Sequence, residues 1–229
     1  MTPSRRMLVA RALLGALTLS SACARDVAAP NVPAVVPVVA PPGASFRRGG
    51  RDPDFLEPAA GAPTIANPVI QFWAVKGRDA RVKMVYHSRA DRRGRDGGGG
   101  DSVVFAEFRI RDKSLARRPD GSPIANGDSV LIAMTLVDAS RGIIDFQPSG
   151  LRFSAKDPAS LVISFENANL DLNGDGTVDF RDRLLESTLY IAVRESLGAP
   201  WMPLPSKVNS NGQQVTTSVL GFSGYAIDY

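Results

Sequence analysis

Twelve residues in the second half of the chain, from 171 to 182, carry oxygen-bearing side chains at nearly regular intervals. Counted from Asp171, acidic or amide side chains occupy the first, third, fifth, ninth and twelfth positions, and Gly176 occupies the sixth. A calcium ion takes six to eight oxygens at about 2.3 to 2.6 Å, and a glycine in the middle permits the sharp turn that a short calcium loop needs. The spacing therefore predicts a calcium site with these ligands: Asp171, Asn173, Asp175, Thr177 through its backbone carbonyl, Asp179 directly or through a water, and Asp182.

Two other interpretations of loop 171–182 stay open at this point. An acidic, glycine-rich surface turn that binds nothing would have a similar composition. Magnesium is a weaker rival to calcium, because it demands stricter octahedral geometry and keeps its waters. We also expect Val178, at the eighth position, to point its side chain inward.

The twelve residues resemble the dockerin-type variant of the EF-hand loop, which also closes with aspartate at its twelfth position. The resemblance covers loop 171–182 alone, because the residues before Asp171 have the pattern of a strand rather than a helix and the sequence holds no second copy. It implies the calcium ligands named above. It does not extend to the docking of cohesins by dockerins.

The first 22 residues have the pattern of a signal peptide. Arg5 and Arg6 give a positive start, residues 12–19 form an apolar run, and small residues precede the only cysteine, Cys23. The apolar run is shorter than the roughly 20 residues that span a bilayer. We therefore expect export, with residues 1–22 removed.

Residues 19–23 resemble a bacterial lipobox. The resemblance implies a lipid on Cys23 that anchors the exported protein to a membrane, and Ala24 after the cysteine favours the outer membrane. Ordinary cleavage, leaving a secreted or periplasmic protein, is the alternative. We also expect residues 23–67, rich in proline, alanine and glycine, to form a disordered, semi-rigid tether.

The pattern from residue 68 to the end of the chain predicts an all-β fold. Short runs of β-branched and aromatic residues alternate with turn residues, which is typical of a single antiparallel β-sandwich. We expect one short helix directly after loop 171–182, where leucines recur at helical spacing. The predicted sandwich has about nine strands, near residues 69–75, 81–87, 102–111, 129–137, 151–154, 161–166, 188–194, 214–220 and 225–228.

Five segments of the second half follow in a fixed order that resembles a known domain. They are residues 146–153, 161–165, 189–193, 201–205 and 221–226. Together they are similar to the β-sandwich domain that zona-occludens scaffolds, ankyrins and netrin receptors share, in its bacterial envelope version. The resemblance implies a binding or structural module with the calcium loop inserted between two strands. Some animal members cleave themselves at a His-Phe-Ser tripeptide; Gly221 stands at the histidine position here, which implies no self-cleavage.

The residue content favours a module without catalytic activity. Nucleophilic catalysis needs an activated serine, cysteine or threonine beside a base, and the chain has one histidine, His87, on a predicted strand. A carboxylate pair assembled by folding would leave a secreted hydrolase as an alternative. A carbohydrate-binding module is another, although we expect Trp73 and Trp201 to pack in the core or its rim.

The formal net charge of +4 divides unevenly, with a basic segment at residues 76–118 and an acidic one at 157–195. A basic surface could contact phosphates, but an exported protein does not meet nucleic acid, so we expect no nucleic-acid partner. The partners expected instead are a membrane, through the lipid, and an envelope protein or polysaccharide.

Overall fold

The computed structural model describes residues 53–87, 103–196 and 198–229. The predicted signal peptide, the predicted lipid site at Cys23 and most of the predicted tether lie outside these residues. Within the described part, the chain forms two large antiparallel sheets that pack around one hydrophobic core. The predicted all-β, sandwich-like fold is confirmed.

Thirteen strands and one helix occupy the described residues. In chain order they are β1 (Val69–Val75), β2 (Ala80–Val85), β3 (Val104–Ile110), β4 (Leu115–Arg117), β5 (Ser129–Asp138), β6 (Ile143–Gln147), β7 (Arg152–Phe153), β8 (Ala159–Ser164), α1 (Phe180–Glu186), β9 (Tyr190–Arg194), β10 (Met202–Pro203), β11 (Ser206–Asn209), β12 (Gln214–Val219) and β13 (Gly224–Asp228). All nine predicted strands are present, with ends that differ by at most two residues. The predicted short helix is α1, and β9 follows it.

The strands are distributed over two large sheets and a short pair. One sheet has six strands in the order β1-β5-β6-β13-β9-β10, and the other has five in the order β11-β12-β8-β3-β2. The remaining strands, β4 and β7, pair with each other. None of the sheets closes into a barrel, so each large sheet has two edges.

The alternation of side chains along the strands builds the core. In β5, Val130, Ile132 and Met134 are buried, whereas Ser129 and Leu131 at the alternate positions are exposed. Successive side chains of a strand point to opposite faces, so this pattern places one apolar face toward the other sheet. Strand β13 is buried on both faces, because Phe55 and Trp201 cover its outer side.

A cluster of aromatic rings joins the two sheets. Phe108 on β3 lies 4.7 Å from Phe146 on β6, measured between ring centroids. Phe146 stacks on Phe222 at 5.2 Å and meets Tyr225 edge-on at 5.6 Å, and Phe153 meets Phe222 at 5.1 Å. These rings fill the space between the sheets, which makes them the packing centre of the sandwich.

Residues 53–67, which the composition assigned to the tether, pack against the sandwich. The side chain of Leu56 is buried, and its backbone N–H donates to the carbonyl of Ile227 at 3.1 Å. Further along, the N–H of Ala66 donates to the carbonyl of Val85 at 2.8 Å. The segment therefore crosses one end of the sandwich, and the ordered domain begins well before residue 68.

Candidate metal centre

Loop 171–182 leaves the sandwich after β8 and returns to it through α1 and β9. Both of its flanks are fixed in the core, because the side chains of Leu172 and Leu189 are buried there. Leu185 of α1 is also packed against the core. The sequence thus places an exposed polar loop between buried leucines, and the sandwich determines where that loop begins and ends.

The first half of the loop curls around the carboxylate of Asp171. Its two oxygens accept hydrogen bonds from the backbone N–H of Asp175 at 3.1 Å and of Gly176 at 2.8 Å. Gly174 and Gly176 have φ angles of +72° and +87°, a conformation that side-chain-bearing residues rarely adopt. The turn that the sequence predicts at Gly176 is therefore present.

Three further predicted ligand residues are linked to one another inside this turn. Asn173 donates from Nδ2 to Oδ2 of Asp175 at 3.0 Å and accepts at Oδ1 from the N–H of Asp175 at 2.8 Å. Thr177 donates to Oδ1 of Asp175 from its hydroxyl at 2.7 Å and from its N–H at 3.0 Å. The bond from the Thr177 hydroxyl is the main cause that lowers the pKa of Asp175. Asp175 is thus held as a carboxylate at the exposed tip.

The second half of the loop is organised by Asp182, which is only 2% exposed. Its Oδ1 accepts from the N–H groups of Leu172 at 2.8 Å and Asn173 at 3.0 Å, and its Oδ2 accepts from the N–H of Asp179 at 2.8 Å. Asp179 caps α1 in return by accepting from the N–H of Arg181 at 2.7 Å. These bonds, led by the one from Asp179, lower the pKa of Asp182. One carboxylate therefore joins the start of the loop to the start of the helix.

The structure brings the six predicted ligand residues into one short loop, in two halves that Asp182 connects. Among the residues that the structure describes, no three His, Cys, Asp or Glu side chains stand together in a group that could hold a metal ion. The carboxylates of the loop are turned toward backbone N–H groups instead. The donor set fits calcium by its chemistry, since it offers hard oxygen atoms and four carboxylates. Binding an ion would exchange some of these hydrogen bonds for bonds to the metal.

The expectation that Val178 points inward is wrong. Its side chain is 60% exposed, and Phe180 and Leu184 of α1 are 67% and 56% exposed. A helix of seven residues buries one face only, and here Leu185 occupies the buried face. Among the described residues, nothing covers the opposite face, so these three apolar side chains remain at the surface.

The two tryptophans occupy different environments. Trp201 packs edge-on against Phe55 at 5.0 Å, and the guanidinium of Arg194 lies 4.7 Å from the centre of its ring. This agrees with the expected packing role. Trp73 on β1 is instead 63% exposed, so the expectation that it packs in the core or its rim is wrong. Its ring is on the outer face of β1. The alternation of β1 separates its two faces, but it does not indicate which of them is exposed.

Asp228 on β13 is a buried carboxyl with a raised pKa, which is a property that general acids often have. Asp228 accepts a hydrogen bond from the hydroxyl of Tyr190 at 2.7 Å, and burial raises its pKa. The Asp228 carboxyl is thus engaged by a phenol within the sheet. This arrangement binds β13 to β9 and does not by itself favour hydrolysis.

The chain matches no model of a known protein family, no curated protein and no solved structure. The resemblances of loop 171–182 and of the sandwich therefore stay predictions. Within the described residues, the structure contains no helix that is long and apolar enough to cross a membrane.

Proposed function

We propose that this chain is a noncatalytic module of the cell envelope, a β-sandwich stabilised by calcium that serves in binding, adhesion or scaffolding. A lipid on Cys23 would anchor it, and the residues before 53 would hold the sandwich away from the membrane. The observation that carries the proposal is loop 171–182, where a tight turn, a capped helix and six oxygen-bearing residues coincide.

The proposed role of calcium is structural. Asp171, Asn173, Asp175, the carbonyl of Thr177, Asp179 and Asp182 would hold the ion, whose charge would offset four carboxylates within twelve residues. In its absence these carboxylates repel one another across the short loop. Binding would therefore tighten the connection between β8 and β9.

Calcium is expected to raise the melting temperature of the wild-type chain by about 5 to 10 °C relative to chelator. An ion that binds only the folded form stabilises it by RT ln(1 + [L]/Kd), about 2.7 kcal/mol at a hundredfold excess over Kd. Thermal unfolding followed by circular dichroism, in millimolar calcium and in EGTA, measures the shift.

Asp175→Ala should abolish this shift, and Asp120→Ala is its matched control. Like Asp175, Asp120 lies in an exposed turn and accepts from the N–H and the hydroxyl of the residue two positions later, here Ser122 at 2.8 and 2.6 Å. Asp120→Ala should keep the full calcium response. A wild-type melting temperature that is the same in calcium and in EGTA would remove the metal from the proposal.

The lipid anchor predicts that a fatty-acid probe fed to expressing bacteria labels the protein through Cys23. Cys23→Ser should lose the label completely and release the protein from the membrane fraction. Cys23 is the only cysteine, so no other thiol competes for acylation. A wild type that takes up no more label than Cys23→Ser and is released from the membrane fraction in the same way would support the secreted alternative.

A further inference from the structure

The two large sheets have four edge strands, and three of them are protected against pairing with another chain. Edge strands are usually blocked by charged residues, by proline or by their shortness. Strand β2 carries Arg81 and Lys83, strand β11 carries Lys207, and strand β10 has two residues of which one is Pro203. Strand β1, seven residues long with the sequence VIQFWAV, has no charge and no proline. Within the described part of the chain, it is the edge without protection.

The register of β1 on β5 shows which of its backbone groups face the open edge. Hydrogen bonds from Leu136 N–H to the Pro68 carbonyl, at 2.8 Å, and from Lys76 N–H to the Asp128 carbonyl, at 2.9 Å, flank the paired region. The residues on the β1 side of these two bonds, Pro68 and Lys76, both have even numbers. Between them β1 and β5 pair without a bulge.

Antiparallel pairs alternate between bonded and non-bonded positions, so the even-numbered residues of β1 bond to β5. The backbone groups of the odd-numbered residues therefore point away from the sheet. These outward-facing residues are Val69, Gln71, Trp73 and Val75. Among the residues that the structure describes, only the carbonyl of Val75 has a partner there, the N–H of Arg78 at 3.1 Å.

The side chains next to this edge are apolar and exposed. Trp73 lies opposite Leu131 in the register of the two strands, and both are exposed on the outer face of the sheet. Val69, two positions beyond Gln71, is exposed on the same face. An unpaired ladder and an apolar strip thus coincide at one edge.

We propose that β1 pairs in antiparallel fashion with β1 of a second copy of this chain, about a two-fold axis beside Phe72, so that two six-stranded sheets become continuous. This alignment matches all seven residues and sets Gln71 of each copy opposite Trp73 of the other, with the outward-facing groups bonded to each other. It places no like charges opposite one another, because β1 has no charged residue. Lys76, just after β1, comes to lie opposite Pro68 of the other copy. A two-fold contact of this kind closes and forms a dimer rather than a fibre.

The contact is small, which makes the dimer dependent on concentration. A single strand pair with its flanking side chains is at the low end of specific interfaces, so we expect a dissociation constant in the micromolar range. Sedimentation velocity of the purified full chain over a range of concentrations measures it. The chain carries Cys23→Ser, so that neither the proposed lipid nor a disulfide can join two copies.

Trp73→Lys is expected to raise the dimer dissociation constant by at least about thirtyfold, because it places a charge at the centre of the contact. Met202→Lys is the matched control: Met202 is 46% exposed on β10, at the opposite edge of the same sheet. Its dissociation constant should stay within about threefold of the wild type.

Two further measurements separate the backbone contact from side-chain effects. Gln71→Pro removes an N–H that faces the open edge and leaves the bonds to β5 intact, so it should abolish association without unfolding the chain. Amide hydrogen exchange should slow with concentration at Gln71 and Trp73 and be slow at all concentrations at Ile70 and Phe72. A chain that is monomeric up to about 0.5 mM, or a dimer unaffected by both variants, overturns the proposal. Pairing of β1 with a different polypeptide only, seen as a monomer in the pure sample, overturns it as well.

Discussion

Replacing Phe108 with alanine is expected to lower the free energy of unfolding by about 3 to 5 kcal/mol. The ring is fully buried at the centre of β3 and lies between the two sheets. Its centroid is 4.7 Å from Phe146, 5.7 Å from Phe222 and 6.0 Å from Phe153. Alanine would leave a cavity that the neighbouring rings cannot close, because Phe146 and Phe153 are fixed on β6 and β7 and the backbone of Phe222 is bonded to the carbonyl of Leu151.

Urea denaturation of the wild type and of Phe108→Ala measures this loss as a shift of the unfolding midpoint. Phe180→Ala makes the same chemical change at a ring that is 67% exposed at the start of α1. That control should change the free energy of unfolding by no more than about 0.5 kcal/mol. Similar losses in the two variants would mean that the aromatic cluster is not the packing centre of the sandwich.

Local alternation was sufficient to find most of the strands. Strand β1 begins and ends at the predicted residues, and β5 differs from its prediction by one residue. In both strands, the local pattern of apolar, polar and turn residues is enough to indicate where the strand begins and ends. The short helix and the strand after it were also predictable, because helical spacing ends where Tyr190 begins a run of β-formers.

Strand β6 was missed because its pattern is not regular. Ile143 and Ile144 are both buried, and Asp145 interrupts the apolar run. Two adjacent buried residues require cover on both faces of the sheet, and for Ile143 that cover comes from Phe55 and Trp201. Such contacts join residues that are far apart in the sequence. The same reason explains why the segment around Phe55 was assigned to the tether.

In the candidate site, the spacing predicted the turn at Gly176 and the association of Asp171, Asn173 and Asp175. It did not predict the structural role of Asp182. An aspartate three residues after the N-cap Asp179 also has the spacing of a capping box, in which each of the two side chains accepts a hydrogen bond from the backbone N–H of the other residue. The signal was in the sequence, but the same residue satisfies both patterns, so spacing alone could not separate a metal ligand from a helix cap.

Asp182→Ala is therefore expected to destabilise the chain even without calcium, by roughly 5 °C in melting temperature. The change removes the acceptor for the N–H groups of Leu172, Asn173 and Asp179, of which the first belongs to a buried residue. Asp175→Ala, at the exposed tip, should melt in EGTA within about 1 °C of the wild type. Both variants should lose the calcium response, so thermal unfolding in EGTA and in calcium separates the cap from the metal ligand.

The pH dependence of the melting temperature in EGTA tests whether the charged form of Asp182 is the source of the stability that is lost in Asp182→Ala. Its pKa in the folded chain is lowered from the usual 3.8 by the backbone bonds it accepts. A group with a lowered folded pKa stabilises the fold above its unfolded pKa, and this stabilisation is lost as the pH falls through the folded value. In EGTA, the melting temperatures of wild type and Asp182→Asn should therefore differ by a constant amount between about pH 5 and 7 and converge below about pH 4. Asparagine keeps one acceptor oxygen and carries an NH2 donor in place of the other, so it resembles the protonated carboxyl, and the two chains should become alike once Asp182 is protonated. A difference that persists unchanged at pH 2 would mean that shape rather than the carboxylate charge holds loop 171–182 to α1, and the electrostatic case for a cation at this loop would lose its support.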